Sequence, residues 1–545
     1  MTFLPSDLTP PIDLLAEPGT GAVRERRPRY VDLLPPCNHA CPAGEDIQGW
    51  LALVRAGRDR DAWLALLADN PLPAIHGRVC YHPCEASCNR THTDSAVSIH
   101  ALERFLGDRA AQEGWQSAPC AAPSGKRVLV VGSGPAGLSA AYHLARLGHA
   151  VEVHEAAPLP GGMLRFGIPA YRLPREVVAV EIARIAALGV TFVLNHQVRD
   201  IRTEQAAGRF DAVFLAIGAG VAKRIEIPAR DAGRVLDALS LLHQVAAGEP
   251  PRLGRRVVIY GGGDTAMDAA RTARRLGAED TLIIYRRDRA HMPAHAFELN
   301  EALEEGIKVK WLSTIRRIDA PRLSIEQMQL DANGRAQPTG HLEQLPADAV
   351  VLALGQGTDD SLLHCLTGVT LAADGSVAVD AAMMTGATGV FAGGDMTAGG
   401  HTVTDAVGHG KRAARQIDAY LRGSSPPASP KHALAEFSGL HLPIYSDAKP
   451  SEQSLRSAAE RADNFSEVVA GLKEQQARYE AQRCYSCGNC FECDQCYAAC
   501  PEQAIEKLGP GLRYRFNYNC CTGCAVCFET CPCHAIEMDP EPAVS

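Results

Sequence analysis

The sequence predicts a multidomain α/β chain: a helical amino-terminal part, two Rossmann-like dinucleotide-binding units and a small carboxy-terminal α+β unit. Three observations carry this. Two stretches, beginning at Arg127 and Arg256, each run strand, glycine turn, apolar helix, second strand. All but Cys120 and Cys365 of the 19 cysteines fall in two early groups and one dense tail. At 545 residues, with 46% hydrophobic content, the chain is too long for one core and apolar enough to fill several.

Composition narrows the function. A net charge of −9 and a pI near 6.1, without a basic stripe, argue against nucleic acid as a partner. The start, MTFLPSDLTPP, has no basic segment followed by an apolar run, and no apolar stretch is long enough to span a bilayer. A cytoplasmic protein with no membrane contact is expected. Cysteines in metal-ligand spacings, in a long chain without a signal, favour a reducing compartment over a disulfide scaffold.

Taken in order, the amino-terminal region carries Cys37 and Cys41, then Asp46 positioned to cap a helix with Ile47, Trp50, Leu51 and Val54 on its apolar face. A helix around Trp63, Leu66 and Leu67 leads to Cys80, Cys84 and Cys88, spaced C-x3-C-x3-C. Five thiols without a C-x2-C pair suit iron–sulfur better than structural zinc. Neighbouring His39, His76 and His82 read as surface or hydrogen-bonding residues.

After a Gly/Ala/Pro/Ser-rich linker at 107–126, Arg127–Val131 reads as a buried strand, followed by GSGPAG, a helix through Leu138–Leu147, and a strand Ala150–His154 ending at Glu155. Gly132 permits the tight turn, Gly134 the approach of a pyrophosphate and Gly137 close helix packing. Pro135 and Ala136 open the helix whose amino terminus faces the phosphates. Glu155 is placed to accept from an adenosine ribose. The second unit has Gly261, Gly263 and Ala266, the G-x-G-x-x-A variant, with Asp264 and Thr265 between them. Where the first unit has Glu155, this one has Arg286 and Arg287. Two guanidiniums suit a 2′-phosphate, so NADP(H) is expected there.

In the tail, Cys490, Cys493, Cys496 and Cys500-Pro501 follow C-x2-C-x2-C-x3-C-P, and Cys521, Cys524, Cys527 and Cys531-Pro532 repeat it. This is the bacterial ferredoxin spacing for two [4Fe–4S] clusters. The cysteine before proline serves the other cluster. Cys490, Cys493, Cys496 and Cys531 form one expected ligand set, and Cys521, Cys524, Cys527 and Cys500 the other. Cys484 and Cys487 remain over.

The segments CNHACPAGEDI, GRVCYHPCEASC, GSGPAGLSAA, GGMLRFGIPAYRLP, GGGDTAMD and YRRDRAHMP resemble the small NADPH-oxidising subunit of glutamate synthase and its relatives, which include the electron-input half of dihydropyrimidine dehydrogenase. The resemblance implies FAD on the first unit, with Gly162, Met163, Leu164, Gly167 and Ile168 lining the flavin and Gly394, Asp395, Val403 and Thr404 near its ribityl chain. It also implies a split flavin domain with the NADPH domain inserted. The expected domains are 1–126 (helical, iron–sulfur), 127–255 with 350–422 (FAD), 256–349 (NADPH), 423–483 (linker and helix) and 484–545 (ferredoxin-like).

The family carries two amino-terminal [4Fe–4S] clusters and begins with an Arg-Cys-x2-Cys pair that this chain lacks near its start. RCYSC at 483–487 takes that role by resemblance, after an expected helix over SEVVAGLKEQQARYEAQ. Glu103 falls where relatives have a carboxylate or amide ligand. By this mapping Cys41, Cys80, Cys84 and Glu103 hold the cluster nearer the flavin, and Cys37, Cys88, Cys484 and Cys487 the outer one. Four clusters then use 15 cysteines and Glu103, sparing Cys120, Cys365, Cys520 and Cys533. Ala398 replaces a basic residue common in relatives, and His409 an acidic one.

The expected role is electron transfer between NADP(H) and the catalytic subunits of a partner. The tail's resemblance to the ferredoxin subunit of 2-oxoacid:acceptor oxidoreductases points to a thiamine diphosphate enzyme. The alternatives are a stand-alone NADPH:ferredoxin oxidoreductase or a glutamate synthase small subunit. Hydride transfer between stacked rings needs orientation more than an acid or base, so no catalytic side chain is singled out.

Overall fold

The computed structural model describes residues 24–222, 227–230, 234–319, 321–364, 366–425, 431–443 and 445–542. Cys365 lies outside them. Helices Pro36–Ala40, Ile47–Arg55, Asp59–Leu67, Pro73–Val79, Pro83–Ala86 and Ile99–Glu113 make up the amino-terminal part. Asp46 caps as expected, its Oδ1 accepting from Gly49 N at 3.2 Å. Trp50 and Trp63 are fully buried in its core.

Two parallel sheets follow. The first has the order Val390–Ala392, Ala212–Leu215, Arg127–Val131, Ala150–His154, Thr191–Val193. Val128 and Val130 face one core while Leu129 and Val131 face another, which is why the strand is apolar throughout. Helices Pro135–Arg146 and Val403–Arg422 cover one face. The second sheet has the order Lys308–Lys310, Asp280–Ile284, Arg256–Gly261, Ala349–Ala353, Arg234–Asp237. Val257 and Ile259 enter one core, Val258 and Tyr260 the other.

The domain limits expected from the sequence differ from this topology. Strands Arg234–Asp237 and Ala349–Ala353, assigned to the flavin domain, pair within the second sheet. The crossings lie at Val221–Ala222 and Gln356–Gly357, which pair antiparallel as one ribbon. An antiparallel excursion, Ser313–Asp319, Arg322–Leu330 and Ala336–Pro346, extends from the second unit.

Two further differences concern the tail. The helix expected over 466–482 is confined to Glu474–Gln482. The stretch before it lies along the two parallel-sheet units, with Val468 N donating to Tyr171 O at 2.9 Å and Asn464 O accepting from Arg275 Nε at 3.1 Å. Strand Arg26–Tyr30, assigned to the helical domain, pairs antiparallel with Ile536–Pro540. It supplies the carboxy-terminal unit with a strand from the opposite end of the described chain. Arg24 fastens the start of this strand through paired bonds to Glu541, both 2.7 Å.

Deleting residues 1–30 strips one edge of the Ile536–Pro540 strand and uncovers the thiol-bearing core beside it. The expected result is rapid proteolysis confined to residues beyond 484, with the two parallel-sheet units intact by limited digestion and mass spectrometry.

Candidate functional site

The first strand–turn–helix forms a tight cradle. Gly132 adopts φ +99°, and a Cβ there would meet Ala216 O at 2.5 Å, whereas a Cβ on Gly134 would meet nothing within 4 Å. The turn is therefore closed on the strand side and open on the cleft side, as a pyrophosphate requires. Gly137 lies against Gly132 O, Gly394 against Ala136 Cβ and Gly162 against Gly134 Cα, so three separate segments meet around one loop. Pro135 is the first residue of the helix. The Glu155 carboxylate accepts from Ser133 N and Oγ at 2.9 and 2.5 Å and from Ala157 N at 2.8 Å. It thus fixes the loop's shape.

Of the residues expected to line a flavin, Met163 faces the cleft between the two units, with Phe166, Ala222 and Leu352. Leu164 does not line it: its side chain is fully buried in the core. The carbonyls of Leu164 and Ile168 both accept from Arg175, at 3.0 and 2.7 Å. Gly167 lies under the Met163 side chain. His409 Nδ1 accepts from Gly394 N at 3.1 Å, which fixes the neutral tautomer and braces the Gly394–Asp395 turn. Burial raises the Asp395 carboxyl and lowers His409.

The second cleft is lined by Gly261, Gly262, Gly263, Thr265, Arg286 and Arg287, at the carboxyl ends of the parallel strands. Ala266 is buried in the helix behind. Arg287 Nε donates to Tyr285 Oη at 3.0 Å, which aligns it along the cleft wall, and Arg286 is exposed beside it. The Asp264 carboxylate instead accepts from His295, from N at 2.9 Å and Nδ1 at 3.1 Å. The His295 ring stacks on Tyr81 with centroids 3.5 Å apart, next to Cys80.

Fifteen of the described thiols form four groups, leaving Cys120, Cys520 and Cys533 outside them, and none of the described cysteines is in a disulfide. Cys37, Cys88, Cys484 and Cys487 line one small cavity. Sequence spacing alone could not join residues 450 positions apart. Burial and its three neighbours push the Cys37 thiol up, and burial pushes Cys484 to about 11 and Cys487 to about 12. Four such thiols become thiolates together only around a multivalent cation, so the donor set fits iron. Cys41, Cys80 and Cys84 form a second group beside Glu103 and Glu45. Glu103 is buried and accepts from Asn70 Nδ2 at 2.6 Å, and Asn70 also bridges to Glu45 at 2.9 Å. Burial and the Glu45 charge raise the Glu103 carboxyl, and an adjacent cation would reverse this. Glu45 is absent from the residues expected on sequence grounds, since nothing in its spacing marks it. His76 is buried in the same network through Asn70, at 2.8 Å. Thr404 Oγ1 donates to Cys80 Sγ at 3.0 Å, tying the segment expected near a flavin to this group.

In the tail, Cys490, Cys493, Cys496 and Cys531 come together, and Cys500, Cys521, Cys524 and Cys527 line another small cavity. Cys524 is exposed. Cys533, which no expected ligand set needs, is buried with its sulfur 3.8 Å from that of Cys531. Among the described residues no helix is long and apolar enough to cross a membrane.

Residues 126–410, over half of the chain, match the pyridine nucleotide-disulphide oxidoreductase model, and 32–115 match that of dihydropyrimidine dehydrogenase domain II, 4Fe-4S cluster. The chain is 37% identical over 495 residues to the beta subunit of NADP(+)-dependent formate dehydrogenase of Moorella thermoacetica, covering 82% of this chain and 70% of that one. It is 33% identical over 515 residues to the NADPH-Fe(3+) oxidoreductase subunit beta of Geobacter sulfurreducens (84% and 75% covered). It is 34% identical over 418 residues to the glutamate synthase [NADPH] small chain of Escherichia coli (71% and 89% covered). Two glycine cradles, a paired-arginine cleft and thiol groups suited to iron agree with these matches: the chain belongs to the pyridine nucleotide-disulphide oxidoreductases, as an FAD-, NADP- and [4Fe–4S]-binding enzyme of the glutamate synthase small-subunit type.

Proposed function

We propose that this chain is the electron-transfer subunit of a larger oxidoreductase, moving electrons between NADP(H) and a partner's catalytic subunit through FAD and four [4Fe–4S] clusters. The observation that carries this is the unbroken succession of thiol groups from the flavin segment to an exposed cysteine. Thr404 touches Cys80. Cys37 and Cys41 belong to different groups but are four residues apart, a Cα separation of at most about 14 Å. Cys487 and Cys490 are three apart, at most about 11 Å. The last group ends at exposed Cys524.

When bound, the nicotinamide and flavin supply two-electron hydride exchange and the clusters one-electron carriage. The chain's own residues set where this happens. Gly132, Gly134 and Gly137 admit the FAD pyrophosphate, and Gly261 and Gly263 that of NADP(H). Arg286 and Arg287 hold the 2′-phosphate. Met163 and Leu352 border the cleft between the two units, where a bound flavin and nicotinamide would exchange hydride. The ligand sets are Cys41, Cys80, Cys84 and Glu103 nearest the flavin; then Cys37, Cys88, Cys484 and Cys487; then the two ferredoxin-like sets. A separate catalytic subunit is the proposed partner, since three relatives are themselves named as subunits or chains. A thiamine diphosphate-dependent 2-oxoacid oxidoreductase is the class suggested by the ferredoxin-like tail. Co-elution with such subunits supports it, and full NADPH:ferredoxin turnover by the isolated chain defeats it.

Iron analysis of the anaerobically purified chain should give about sixteen irons, and a value near eight removes the amino-terminal pair. Cys484→Ser should damage one amino-terminal cluster, seen by EPR, while both ferredoxin-like signals persist. Replacing Arg286 and Arg287 together by Ala should weaken NADPH roughly tenfold or more and NADH little, the loss of charge-assisted bonds to one phosphate. Equal losses in titrations with both nucleotides sink the phosphate assignment.

A further inference from the structure

The ferredoxin-like unit is a twofold repeat, and at one matched position its two halves differ by a hydroxyl. In one half Tyr30 pairs across the ribbon with Ile536, and in the other Phe516 pairs with Ile505. The backbone donors are matched. Ala535 N donates to Cys531 Sγ and Ala504 N to Cys500 Sγ, each at 3.3 Å and each four residues beyond its cysteine. The Tyr30 and Phe516 rings stack on one another, centroids 4.8 Å apart.

Tyr30 Oη lies 3.9 Å from Cys496 Sγ. A ligating thiolate can only accept, so the tyrosine donates. Phe516 borders the Cys500, Cys521, Cys524 and Cys527 cavity from the equivalent position and has nothing to donate. That second set has a cation nearby, with Arg24 Nη1 on Cys521 O at 3.0 Å, but the guanidinium is paired bidentately with Glu541.

We propose that Tyr30 is a potential-setting residue: its hydroxyl donates to the Cys496 sulfur and raises the reduction potential of the cluster held by Cys490, Cys493, Cys496 and Cys531. The proposal rests on the ligand sets assigned above. A donor at a cluster sulfur stabilises the reduced, more negative state more than the oxidised one, so reduction becomes easier. The placement suits an entry point. Cys533, beside Cys531, takes a hydrogen bond on its carbonyl from Gly488 N, one residue after Cys487. Electrons arriving from the Cys484–Cys487 side therefore meet the tyrosine-supported cluster first.

Tyr30→Phe in the full, cluster-loaded chain removes the hydroxyl and keeps the stacked ring. In an EPR-monitored redox titration, one ferredoxin-like midpoint is expected to fall by the equivalent of about tenfold in the reduction equilibrium, ~59 mV for one electron. The other midpoint and the iron content should stay unchanged. A solvent-exchangeable proton coupling to that cluster, visible by ENDOR in H2O and lost in D2O, should vanish in the variant. An unchanged midpoint, an equal shift of both clusters, or iron loss from Tyr30→Phe overturns the proposal. Cys496→Ser separates the premise from the inference. If it costs no iron, the ligand assignment fails; if it does and Tyr30→Phe shifts nothing, the hydroxyl's role alone fails.

Discussion

The Arg483 guanidinium, buried between the two ends of the chain, is the contact on which the rest of the structure depends. All five of its donors are used: Ala448 O at 3.0 Å, Ala96 O at 2.8 Å, Glu480 Oε2 at 2.9 Å, Asp94 Oδ1 at 3.1 Å and Ser95 O at 2.7 Å. Arg90 completes the clasp, holding the Arg483 carbonyl at 2.7 Å and the Asp94 carboxylate with two bonds. Arg483 precedes Cys484, and Asp94 lies just beyond Cys88. The clasp therefore presses two thiols of the tail onto two of the amino-terminal part. Breaking such a buried, fully satisfied pair costs about 3–5 kcal/mol, because the remaining charge is left without a partner.

A second clamp acts at the flavin end. Helix Val403–Arg422 passes so close to the Cys41 loop that a Cβ on Gly408 would sit 2.1 Å from Pro42 O. Lys411, buried, donates to Ala43 O and Gly44 O at 2.9 Å each and to Asp69 at 2.5 Å. The loop that carries Cys37 and Cys41 is thus gripped by the flavin unit on one side and by the tail on the other. Fixed spacing between redox groups is what one-electron carriage through a protein requires, and rigid supporting contacts provide it.

The nucleotide unit is anchored by charge. Glu305 takes Arg275 at 2.6 Å and Arg271 at 2.7 Å in the interior, and Arg275 also lies over the Tyr171 ring at 3.9 Å. Arg172 reaches across from the flavin unit to Asp268 at 2.8 Å and to Glu298. These bonds are directional, so they set the orientation of the two clefts where a purely apolar interface would tolerate sliding.

Much of this is legible in the residue order. The glycine turns, the apolar strands beside them and the arginines after Tyr285 are local patterns, governed by backbone sterics and periodicity over fewer than thirty residues. The C-x2-C-x2-C-x3-C spacing is equally local. The helix before Arg483 is shorter than its sequence suggests because residues 466–473, though apolar enough, are drawn out to bond Tyr171, Ser454 and Arg456. Leu164 stands among residues expected to line a flavin, yet a short helix turns it into the core. What spacing by itself could not decide is which distant segments share a cavity: Cys37 with Cys484, Glu45 with Glu103, Tyr30 with Cys496. The resemblance to a family suggested the first of these, and only the folded chain set the other two. Contacts between residues hundreds of positions apart depend on how whole units pack, and no short-range pattern encodes that.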